Sequence, residues 1–75
     1  MHRYRNMSGD SGVVAYDIGQ DAITIEFRGG ERYLYTERSA GAENIARMQE
    51  LAREGRGLST FVSQHIRARY ARKLR

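Results

Sequence analysis

At Thr36 the hydrophobic period of this chain changes, and it changes once. Before that point apolar and polar residues alternate. Ile23, Ile25 and Phe27 interleave with Ala22, Thr24 and Glu26, which is the pattern of a strand with one dry face and one wet face. Gly29-Gly30 follows and supplies the backbone freedom of a tight hairpin turn. Tyr33 and Tyr35 then alternate around Leu34 in another short strand. Upstream, Val13 to Asp17 reads as a first strand, and Ile18-Gly19-Gln20-Asp21 as its turn. Loops this short join antiparallel neighbours, so the expected sheet is a three-stranded meander.

After Thr36 the apolar residues recur at helical spacing. Ser39 is placed to cap a helix beginning near Ala40–Ala42, with Glu43 in its first turn. Ile45, Met48, Leu51 and Ala52 make one apolar stripe. Gly55 and Gly57 end this helix, because glycine enters the left-handed region freely. Ser59 starts a second helix whose apolar positions are Leu58, Phe61, Val62, Ile66, Tyr70 and Leu74. On that face Arg69 and Lys73 also fall. A core does not accept unpaired cations, so the second helix is expected to leave the core at about Arg67. The predicted fold is α+β: a three-stranded antiparallel meander followed by two helices packed on one face. Residues 1–12, ending in Ser8-Gly9-Asp10-Ser11-Gly12, read as a flexible leader. Residues 13–75 read as a single small domain with a basic helix or tail from about 67.

Length sharpens these expectations. A chain of 75 residues is one domain at most. It buries only roughly 60–65% of the surface its unfolded form exposes. With no cysteine, neither a disulfide nor a thiolate zinc site stiffens it. Regular packing, or a second copy, must do so instead. The longest purely apolar run, Val13-Val14-Ala15-Tyr16, is too short to cross a bilayer. The absence of cysteine and of a signal-like amino terminus points to a cytoplasmic protein with no membrane partner.

Charge is distributed unevenly. Residues 55–75 hold Arg56, Arg67, Arg69, Arg72, Lys73 and Arg75, and no acidic residue. The rest of the chain carries seven basic and nine acidic side chains. A positive field so concentrated suits a polyanion, and arginine forks suit phosphate oxygens. Tyr70 lies among these residues, where a ring can stack on an unpaired base. The expected partner is nucleic acid, RNA or DNA, bound through the basic carboxy-terminal helix. The alternative is a module that docks on an acidic protein or on a second copy of itself as a homodimer. A purely solubilising tail explains the charge equally simply.

Other motifs argue for structure rather than chemistry. Tyr16, Tyr33 and Tyr35 on a sheet resemble a base-stacking platform, but alternation turns Tyr33 and Tyr35 inward, where the small core needs them. His65 has only His2 as a fellow histidine, so it reads as a packing residue and not as a metal ligand. Asp17 and Asp21 suit a turn better than a calcium loop. Gly55-Arg56-Gly57 follows a helix and lacks the Lys-Ser/Thr of a phosphate loop. Ser59 and Thr60 have no base beside them, so no enzyme, cofactor or metal site is expected.

The segment Ile23-Thr24-Ile25-Glu26-Phe27-Arg28-Gly29-Gly30-Glu31-Arg32-Tyr33-Leu34-Tyr35, preceded by Tyr16-Asp17, resembles the KTSC domain, named from the carboxy terminus of certain lysyl-tRNA synthetases. Phe61 and His65-Ile66-Arg67-Ala68-Arg69-Tyr70 resemble that family's closing segment. The similarity spans roughly residues 13–70. It departs where the family has prolines before its first helix, since Arg38-Ser39-Ala40-Gly41 stands there, and where the family has Phe-Asn before its closing helix. The resemblance implies a sheet-and-helix module and, through its synthetase context, nucleic-acid binding.

Overall fold

The alternating strands sit at the centre of a larger sheet than their pattern announces. The computed structural model describes every residue of the chain except Ser8, Asp10 and Arg67. Strands β1 (His2–Arg3), β2 (Val13–Ile18), β3 (Ala22–Phe27), β4 (Arg32–Thr36) and β5 (Arg72–Lys73) form one sheet in sequence order, each antiparallel to its neighbour. Three helices lie between β4 and β5: α1 (Glu37–Ala40), α2 (Ala42–Glu54) and α3 (Leu58–Phe61). Among the described residues, the three-stranded, two-helix expectation is therefore corrected to five strands and three α-helices. Both added strands are two residues long. So short a strand holds no period to read.

Register explains the core. Ile23 lies opposite Tyr35 and Ile25 opposite Tyr33, so these four side chains share one face. On the other side of β3, Ile18 pairs with Ile23 and Tyr16 with Ile25. Val13 pairs with Phe27, although strict alternation from Tyr16 would turn Val13 outward. A bulge between Val13 and Ala15 makes up the missing residue and returns Val13 to the core, where it is buried.

The helices cover that face with Ile45, Met48, Leu51, Ala52, Leu58, Val62 and Ile66. Gln49 ties α2 to the sheet by donating to the carbonyls of Gly19 and Ala22 in the β2–β3 turn, at 3.1 and 3.0 Å. The first cap differs from expectation. Thr36, not Ser39, is the N-cap: its hydroxyl accepts from the Ser39 amide, and the Ser39 hydroxyl accepts from the Thr36 amide. Gly41, at φ 98°, then breaks the helix into α1 and α2. Gly55 ends α2 in the left-handed region, at φ 79°. Ser59 caps nothing, because Gly57 precedes the first residue of α3.

The second helix does not continue to Leu74. After Phe61 it widens into a π-helical turn, Val62–Ile66, which ends with Ile66 in the core. The chain then turns back. The Arg69 amide bonds the Ile66 carbonyl, and the Ala71 amide bonds the Leu34 carbonyl. β5 follows, with Arg72 opposite Leu34 and Lys73 opposite Tyr33. A helix carrying Arg69 and Lys73 on its apolar stripe would have buried them. The turn that holds Arg69 and the edge strand that holds Lys73 leave both in water.

The segment read as a leader also joins the fold, with Ser8 and Asp10 outside the described residues. β1 pairs with β2, and Tyr4 enters the core at 3% exposure. Its hydroxyl accepts the Leu58 amide at 3.2 Å. Burial raises the Tyr4 pKa, and the bond from the Leu58 amide opposes that rise. Asn6 accepts from the Ser11 amide, and Arg28 donates to the Ser11 carbonyl.

Candidate nucleic-acid interface

Two tyrosines of β4 and one of the returning chain build the site. Tyr33 and Tyr35 point to the helical face because they pair with Ile25 and Ile23. The turn after Ile66 brings Tyr70 over them, with ring centroids 4.7 Å from Tyr33 and 6.3 Å from Tyr35. Phe27 meets the Tyr33 ring edge-on at 5.8 Å. Tyr35 is buried, Tyr33 and Phe27 are half-buried, and Tyr70 is 38% exposed. Burial pushes the Tyr35 hydroxyl up to about 12, and the neighbouring Tyr33 and Tyr70 hydroxyls push the same way.

These rings wall an open cleft of about 420 Å³. Ser59, Val62 and Ser63 line its helical side, with Ala68 near Tyr70 and Glu31 at the β3–β4 turn. The volume falls in the range of small-ligand sites. Tyr35 joins the core as alternation predicts and Tyr33 packs against it, yet both rings also wall this cleft. Tyr16 is elsewhere, packed on His2 at 5.7 Å. His65 is exposed and lies on the Phe61 ring at 4.7 Å.

The basic residues divide into two places. Lys73 shares the face of Tyr33, with its ammonium 5.8 Å from that ring's centroid. Arg72 shares the opposite face with Leu34. Arg75 exchanges backbone bonds with Arg32, beside the rim. Arg69 lies in the turn next to Tyr70 and is exposed. Arg56 belongs to the other end. It sits in the α2–α3 turn, where the Gly55 backbone packs on the side chain of Arg5, just beyond β1. Arg67 lies outside the described residues. Among the described residues the ion pairs are Arg32–Glu26 and Arg47–Glu50, so Arg56, Arg69, Arg72, Lys73 and Arg75 have no carboxylate partner.

Among the described residues no group of three or more His, Cys, Asp or Glu side chains is arranged to hold a metal ion. No helix among them is long and apolar enough to cross a membrane. Comparison with known proteins returns no matching family model, curated protein or solved structure. The reading of the site therefore rests on its own geometry.

Proposed function

We propose that this chain is a small, non-enzymatic module that binds single-stranded nucleic acid along its β4–β5 edge. The observation that carries the proposal is an open aromatic cleft flanked by cations that have no carboxylate partner among the described residues. Tyr70 offers a partly exposed ring on which an unpaired base can stack. Lys73 stands over the neighbouring Tyr33 ring, and Arg69, Arg72 and Arg75 extend the positive charge around the edge. Phosphates bridge these groups while bases turn inward. Duplex is disfavoured, because its bases are already stacked and cannot enter the cleft. The resemblance of residues 13–70 to the KTSC domain supports the same reading.

Fluorescence anisotropy with a short labelled RNA or DNA strand tests it. Binding at low salt is expected, with log K falling against log salt at a slope of roughly −3 if about four phosphates are neutralised. A chain ending at Ala71 loses β5 and should lose most of that slope. Absence of binding at low salt, or a salt-resistant dimer whose formation covers the cleft, rejects the proposal in favour of docking between protein surfaces.

A further inference from the structure

Among the described residues that line the cleft, the one charged side chain is a carboxylate, and a carboxylate is an acceptor. Glu31 stands on the rim, exposed and without an ion pair among the described residues. An ionised Glu side chain accepts hydrogen bonds and donates none. Its Oε1 lies along the hairpin turn, 2.7 Å from where a Cβ at residue 29 would stand, so Gly29 leaves the carboxylate its place. On the helical wall the Ser63 hydroxyl already donates to the Ser59 carbonyl at 3.1 Å, which leaves its lone pairs for a ligand. Between them stand the aromatic faces of Tyr33 and Tyr70.

A planar ligand stacked on Tyr70 beside that carboxylate gains most from donors at its edge, since the tyrosine and serine hydroxyls of the cleft adapt to either kind of partner. Of the four common bases, guanine alone presents two adjacent N–H donors on its pairing edge, N1–H and the N2 amino group, in a span that matches the two oxygens of a carboxylate. Adenine and cytosine each place a ring-nitrogen lone pair next to their single amino group. Uracil flanks its one N–H with two carbonyls. Each of these sets an acceptor against the Glu31 oxygens, and an unmatched polar contact costs affinity. We propose that the cleft selects an unpaired guanine, stacked on Tyr70 and read by Glu31. This rests on the single-strand binding proposed above and adds a base preference to it.

The test is anisotropy at low salt with four oligouridine octamers, which carry guanosine, adenosine, cytidine or uridine at one central position. The guanosine strand should bind about 5- to 150-fold tighter than the all-uridine strand, the range of one well-made bidentate base contact. Glu31→Gln, at an exposed position, should bring the four affinities together without changing the thermal midpoint. Equal affinities in the native chain, a preference for another base, or a guanosine preference that survives Glu31→Gln overturns the inference while single-strand binding stands. Failure of all four strands to bind overturns both readings.

Discussion

The two edges of the sheet have the same construction and opposite characters. Each is a two-residue strand flanked by one tyrosine, Tyr4 after β1 and Tyr70 before β5. Tyr4 is 3% exposed, and its hydroxyl holds the first amide of α3. Tyr70 is 38% exposed and holds no structural hydrogen bond among the described residues. At the first edge an aromatic ring closes the core. At the second the rings stop short of closing it, and the remaining gap is the cleft. The difference teaches that strand pairing alone does not decide whether an edge is scaffold or surface. What decides is whether a helix arrives above it. The first amide of α3 seats on Tyr4, whereas α3 and the π-helical turn face Tyr70 across an open cleft.

The strongest way to break this comparison is to remove each ring in turn. Tyr4→Ala opens a core cavity and leaves the Leu58 amide without its partner, so it should cost about 3–5 kcal/mol. In a domain of this size that lowers the thermal midpoint by roughly 12 °C or more. Tyr70→Ala should cost about 1 kcal/mol or less, because its ring remains partly in water, yet it should weaken strand binding markedly. Denaturant melts of both variants, with strand titrations beside them, measure the contrast. Equal losses of stability would erase it.

A pH titration sharpens the same point on the buried member of the cleft. Tyr35 holds its proton up to about pH 12, whereas an unfolded tyrosine releases it near 10. Between those values the unfolded chain binds fewer protons, so stability is full below pH 10 and falls by about 1.4 kcal/mol per pH unit up to the folded value. Tyrosinate absorbance should reveal two late-ionising rings, Tyr4 and Tyr35, and Tyr35→Phe should remove one of them. Smallest of all is Lys73→Gln. Stability should change by less than about 0.5 kcal/mol, while the salt slope of strand binding falls by about 0.7, the share of one phosphate.

Parts of this molecule were legible in the chain before folding. The alternation over Ala22–Phe27 and Arg32–Thr36, and the stripe of Ile45, Met48, Leu51 and Ala52, announce what each segment buries. The cap at Thr36 was missed for a local reason. Thr and Ser three residues apart are both good caps, and reciprocal bonding makes the earlier one the N-cap and the later one its partner. Val13 was placed in a strand correctly, but its face depends on a bulge that alternation does not encode. Of the expected residues, Tyr70 lines the cleft, Lys73 lies over the Tyr33 ring, and Arg69, Arg72 and Arg75 lie along the same edge of the sheet. Arg56 stands apart beside Arg5, because the chain visits the β1 end of the sheet between α2 and α3. Glu31 carried no signal, since a glutamate in a glycine turn is ordinary until a cleft forms beside it.

Local periodicity and the unequal distribution of charge belong to the sequence by itself, because each depends only on neighbours within a turn or a strand. Tertiary structure alone decided that Tyr4 is core, that residues 72–73 form a strand instead of a helix, and that Tyr70 faces Tyr33. These outcomes depend on contacts between residues far apart in the chain, such as Tyr4 with Leu58 and Tyr33 with Lys73. A two-residue strand has no pattern of its own, and only the unpaired edge waiting beside it gives it a place.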